Sequence, residues 1–93
     1  MRTHRAAPKP VEVVTRAADQ LADALARSRT RAGLSQAVVA ASAGLRQATV
    51  SKAESGVGTT QLKTVYALCA ALGLELVVRT RQASDAARAE DYL

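Results

Sequence analysis

The stretch Gln36-Ala37-Val38-Val39-Ala40-Ala41-Ser42-Ala43-Gly44-Leu45-Arg46-Gln47-Ala48-Thr49-Val50-Ser51-Lys52-Ala53 holds two short apolar-periodic segments around a single glycine. The spacing predicts one helix capped by Ser35 and running through Ser42, a turn at Gly44-Leu45, and a second helix from about Gln47 to Ser55. Two helices joined this tightly must cross closely and at a large angle. Ala40 supplies a small side chain for that crossing, and Gly44 suits a turn position with positive φ. Val39, Ala43, Leu45, Val50 and Ala53 are then the inward positions, leaving Gln47, Ala48, Ser51 and Lys52 facing outward.

The helical period continues on both sides. Upstream, Val14, Ala17/Ala18, Leu21, Ala24/Leu25 and Ser28 share a face, which predicts a helix from about Thr15, with Thr15 as N-cap, stopped by Gly33. Downstream, Gly56-Val57-Gly58 reads as a loop. Thr59 or Thr60 caps a further helix over 61–72 whose inner face is Leu62, Val65, Leu68/Cys69 and Leu72, ended by Gly73. After Gly73 the period falls to two: Leu74, Leu76 and Val78 lie on one face of a strand over 74–81. A lone strand cannot satisfy its backbone groups or bury its face, so it needs a partner. Two are available: the short Val11–Val14 run of the same chain, or the same strand of a second copy paired antiparallel about a two-fold axis. The expected organisation is a basic flexible arm over 1–13, a helical domain over 14–73, a dimerisation strand over 74–81, and a flexible or weakly helical tail over 82–93.

Composition narrows the function. The chain has 93 residues, the length of one domain, and lacks Trp and Phe; Tyr66 and Tyr92 are its aromatics. Ala, Val and Leu supply the apolar share, which suits closely approaching helices. Net charge is +5, and its placement matters more than its size. Arg27, Arg29, Arg31, Arg46, Lys52 and Lys63 face one acid, Glu54, over the central segment, whereas the tail carries Asp85, Glu90 and Asp91 against Arg88. Cys69 is the one cysteine and His4 the one histidine, so neither a disulfide nor a metal site can be assembled within the chain, and no catalytic pair is available. We expect no cofactor and no enzymatic activity. Met1-Arg2-Thr3-His4-Arg5 is followed by no apolar run, and no stretch approaches ~20 apolar residues, so neither a signal peptide nor a membrane span is expected, and a reducing cytoplasm suits the lone thiol.

The outward residues point to duplex DNA. Gln47 can pair with adenine, Ser51 with several bases, and the Ala48 methyl can meet a thymine methyl; Lys52 reaches a base or a phosphate. Ser35 and Gln36 open a helix whose N–H groups and positive dipole end can hold a phosphate. Arg46, Thr49, Lys63 and the threonines Thr59 and Thr60 are further candidates for phosphate contact.

Three spaced motifs then carry a family resemblance. Arg27-x-Arg29-x-x-x-Gly33-Leu34-Ser35-Gln36, Ala40-x-x-x-Gly44-Leu45 and Thr49-Val50-Ser51-x-x-Glu54 together resemble the Cro/C1-type helix-turn-helix family over about 21–72. The resemblance implies a lambda-repressor-like all-α bundle of four to five helices, with an ion pair between Arg29 and Glu54, and Ala40, Gly44 and Val50 in structural roles. Gly44-Leu45-Arg46-Gln47-Ala48-Thr49-Val50-Ser51 and Leu72-Gly73-Leu74-Glu75-Leu76-Val77-Val78 are most similar to HipB-type antitoxins. That likeness implies a C-terminal β-strand pairing across a homodimer, repression of its own operon at a palindromic operator, and a HipA-like kinase toxin as partner. Many members of the family carry Ser where Arg46 stands, so the cap of the recognition helix differs here. A stand-alone repressor without a toxin, or a partner-binding protein that no longer reads DNA, fits the same residues.

Overall fold

The computed structural model describes residues 12–56 and 60–81. Within them the chain is all-α: α1 (Ala18–Arg31), α2 (Gln36–Ala43), α3 (Gln47–Ser55) and α4 (Leu62–Leu72). α2 packs against α3 and α4, and α1 packs against the same two. Leu25, Val39, Ala40, Val50, Ala53, Val65, Leu68 and Cys69 form one buried cluster, with Leu21, Leu34, Leu45, Leu72 and Leu74 packed around it. All four helices therefore contribute to one core. Burial pushes the Cys69 thiol above its ordinary pKa, which fits a packing side chain.

The α2–α3 connection follows from local chemistry. Ser35 has extended backbone, and its hydroxyl accepts from the Val38 N–H at 3.1 Å, which fixes where α2 begins. Gly44 ends α2 at φ +69°, and the Leu45 N–H closes back on the Ala40 carbonyl at 2.8 Å. Ala40, 3% exposed, lies beneath this reversal, where a larger side chain would force α2 and α3 apart.

Other expectations are corrected. Ala17, not Thr15, is the N-cap of α1, and no side chain caps it. The Ala17 carbonyl already takes the Gln20 and Leu21 N–H groups, while Gln20 Oε1 accepts from the Arg16 N–H at 2.6 Å, so a hydroxyl at residue 15 has no role in starting the helix. Gln61, not Thr60, is the N-cap of α4, again without a side-chain cap. Leu62 is therefore the first helical residue, projects beyond the core and is 62% exposed; the inner face is Thr64, Val65, Leu68 and Cys69.

No strand forms among the described residues, so the helical architecture stands without the sheet expected at the C-terminus. Leu74 is half-buried against the core, but exposure then rises through Leu76 (36%) and Val77 (72%) to Val78 (101%). Glu12, Val13 and Val14 are exposed and pair with nothing as a strand, so the intrachain pairing expected as one option is not seen for them. The described residues offer this segment no strand edge to join. The expectations for residues 1–11, 57–59 and 82–93 lie outside the described residues.

One ion pair ties α1 to the end of α3. Arg29 Nε donates to Glu54 Oε2 at 2.6 Å and Arg29 Nη2 to Oε1 at 3.0 Å, a bidentate fork, while Nη1 donates to the Leu34 carbonyl at 2.8 Å. Gln36 Nε2 adds a fourth bond, to Glu54 Oε1 at 3.1 Å. The two charged side chains are 16% and 8% exposed, so water screens them little. Burial pulls the Glu54 carboxyl upward, but the Arg29 and Gln36 hydrogen bonds and the Arg29 charge outweigh it, and its pKa falls below the ordinary carboxylate value. The hydrogen bond to Glu54 holds the Arg29 guanidinium, already a strong base, still more firmly protonated.

Two outcomes follow for stability. Leu68→Ala, at a position 1% exposed, should cost about 2–5 kcal/mol in urea unfolding at fixed protein concentration. Glu54→Ala, which strands Arg29, should cost about 3 kcal/mol at neutral pH. Because the folded pKa of Glu54 is depressed, its contribution is complete above the unfolded value and is lost as pH falls through the folded one. Unfolding midpoints of the parent should therefore drop on acidification in that window, and those of Glu54→Gln should drop less; parallel curves would refute the role.

Candidate nucleic-acid interface

α3 is a two-faced helix. Val50 (0% exposed) and Ala53 (5%) anchor it in the core. Gln47, Ala48, Ser51 and Lys52 are all exposed, and their spacing places Gln47 with Ser51, and Ala48 with Lys52, one turn apart on adjoining outer strips. The surface expected to read base edges is therefore open to solvent, presented by a helix whose far end is fixed through Glu54.

The residues expected at phosphate divide into groups. Arg46, Thr49, Lys52 and Thr60 come together with Leu45, Ala48, Gln61 and Thr64 along one open groove between α3 and the start of α4, with a volume of about 510 Å³. No acidic side chain lines it. Lys63 is exposed on the first turn of α4 but outside that lining. Ser35 and Gln36 sit at the start of α2, where both side chains already have work: the Ser35 hydroxyl caps the helix and the Gln36 amide braces Glu54. Because the Ser35 hydroxyl accepts in that cap, its O–H proton can still donate to a phosphate beside the first backbone N–H groups of α2. Thr59 lies outside the described residues.

The bracing of Glu54 by Gln36, the bond from Arg29 to the Leu34 carbonyl, and the participation of Gln61 and Thr64 in the groove were not legible in the sequence. The family spacing that sets Glu54 eighteen residues after Gln36 implies an ion pair with Arg29 and carries no signal that the Gln36 amide joins it. Arg27, counted with the basic central segment, is paired one turn back with Asp23 at 2.7 Å on an exposed face, which lowers the free charge there.

A helix-turn-helix family model matches residues 20–78, a span that contains α2, α3, α4, all but the first two residues of α1, and most of the segment after Gly73. No curated protein matches the chain by sequence. Among solved structures, a HipB variant in an O2 20mer complex superposes with a TM-score of 0.72 at 28% identity, covering 77% of this chain and all of that one. The HipA–HipB–O2–O3 complex and a HipB–O4 20mer complex each give 0.71 at 27% identity, covering 76% of this chain and all of the matched chain. The chain belongs to the Cro/C1-type helix-turn-helix family, and HipB antitoxin structures are among its structural neighbours.

Proposed function

We propose that the protein is a sequence-specific transcriptional repressor that acts as the antitoxin of a type II toxin–antitoxin operon, binding its own promoter and a HipA-like kinase toxin. The observation that carries the DNA-reading half is the exposed outer strip of α3, with Gln47, Ala48, Ser51 and Lys52 free of intrachain burial. Gln47 and Ser51 would read base edges, the Ala48 methyl would meet thymine, and Lys52 would reach guanine or phosphate. Arg46, Thr49, Thr60 and Lys63, with the backbone at Ser35 and Gln36, would set the register on the phosphates. The toxin half rests on the similarity to HipB, which was solved together with HipA.

A palindromic operator requires two copies related by a two-fold axis, with α3 helices entering successive major grooves about 34 Å apart. The apolar segment after Gly73 is the natural seam. Residues 74–81 of two chains, paired antiparallel, would bond the unpaired backbone and set Leu76 and Val78, on one face, against apolar neighbours across the two-fold axis. The cytoplasm is the compartment in which such a regulator meets its operator.

Gln47→Ala should weaken binding to a duplex from the chain's own promoter by roughly 1–3 kcal/mol and leave binding to random duplex nearly unchanged. An equal loss on both would remove Gln47 as a base reader. Val78→Asp should shift the sedimentation profile from dimer toward monomer and weaken operator binding with it. Co-expression with the product of the adjacent reading frame should yield a stable complex on pull-down. A frame encoding no kinase-like protein, beside a chain that still binds its promoter, would leave a stand-alone repressor.

A further inference from the structure

A second groove lies on the far side of α1 from the core. α1 sends Leu21, Ala22 and Leu25 inward. Its outer face and the segment 13–16 that leads into it enclose a cleft of about 450 Å³, which no residue of α3 lines. Val13, Val14 and Ala24 give the cleft apolar walls, and the small side chains of Ala24 and Ser28 leave it room. Val13 and Val14 are 60% and 47% exposed, so two adjacent β-branched side chains stand beside the helix uncovered.

Charge narrows what could cover them. Arg16, Arg27 and Arg31 line the cleft against one acid, Asp23, which Arg27 already holds at 2.7 Å. Arg31, at the end of α1, makes no ion pair among the described residues. The cleft thus joins an apolar surface to surplus positive charge. A phosphate would use the charge and leave the valines bare. Residues 1–11 carry Arg2, Arg5 and Lys9 and no acid, so they share the sign of the cleft. Glu90-Asp91-Tyr92-Leu93 has the opposite sign and the matching apolar content: two adjacent carboxylates, then the chain's second aromatic and a leucine. From Arg81 to Glu90 the extended chain can span about 30 Å, on the order of a small domain's diameter.

We propose that the cleft between residues 13–16 and α1 is the seat of the chain's own Glu90–Leu93 segment. In that seat Tyr92 and Leu93 cover Val13, Val14 and Ala24, while Glu90 and Asp91 lie toward Arg16 and Arg31. The clasp needs neither DNA nor a second copy, and it leaves the outer strip of α3 open.

Disulfide closure in the whole chain tests it. Ser28→Cys sets a thiol in the cleft and Ala48→Cys sets one on the exposed strip of α3, each combined with Leu93→Cys; Cys69 stays buried. Rates are measured in dilute protein and divided by each site's reactivity toward a small disulfide. The 28/93 pair should close within one chain about tenfold faster than the 48/93 pair, because a seated segment has a higher effective concentration than a merely tethered one. Glu90→Gln with Asp91→Asn, or salt at about 1 M, should remove most of that advantage. Equal rates, faster closure at residue 48, or disulfides formed only between chains overturn the proposal, the last by giving the cleft to a second copy. Backbone amide shifts supply a reading without added cysteines. Tyr92→Ser should move the amides of Val13, Val14, Ala24 and Arg31, leave Ala48 and Ser51 in place, and keep the parental helical circular dichroism. Movement confined to the neighbours of residue 92, or landing on α3, overturns the proposal as well.

Discussion

The bidentate contact between Arg29 and Glu54 sets the working geometry of this small domain. A nine-residue helix fixed only by Val50 and Ala53 would hold its axis loosely, because two small side chains leave room for rotation. The guanidinium fork ties its last turn to α1, and a fork is directional where apolar contact is not. The same guanidinium bonds the Leu34 carbonyl, and Gln36 reaches the same carboxylate from the start of α2. The Arg29–Glu54 pair thus gathers α1, the α1–α2 connection, α2 and α3. With those constraints in place, the angle at which Gln47 and Ser51 leave the body is a property of the fold.

This arrangement also shows how a core without Phe or Trp can be sufficient. Ala22, Ala40 and Ala53 are buried where helices approach, and the largest fully buried side chains are Leu68, Val39 and Val50. Close approach replaces bulk. The result is a thin core in which polar fastening carries a larger share of the orientation than it would in an aromatic-rich domain.

Most of the fold was legible in the sequence, since helical periods, Ser35 and the glycines are local signals. The α2–turn–α3 unit runs as its spacing predicted, through to Ser55. Helix starts without a polar cap were not legible: Ala17 and Gln61 begin α1 and α4, where Thr15 and Thr60 offered the better hydroxyls. Neither Ala17 nor Gln61 caps its helix through a side chain, so residue type carries no signal at those starts. Leu62 had the right period for the core but lies one turn too early to reach it. In the candidate site, the outer strip of α3 follows from counting residues around a helix. The groove does not, because it depends on where α4 begins relative to α3, and Thr64 by sequence alone is one polar residue in an apolar helix.

The bareness of Leu76, Val77 and Val78 has a consequence for the lifetime of the protein. An apolar run with unpaired backbone groups is what proteases thread and what foreign sheet edges recruit. In the proposed dimer, a chain separated from its counterpart would carry that vulnerability in the segment after α4. Turnover would then begin at residues 74–81, and the abundance of the protein would depend on its own dilution, with scarce copies degraded fastest.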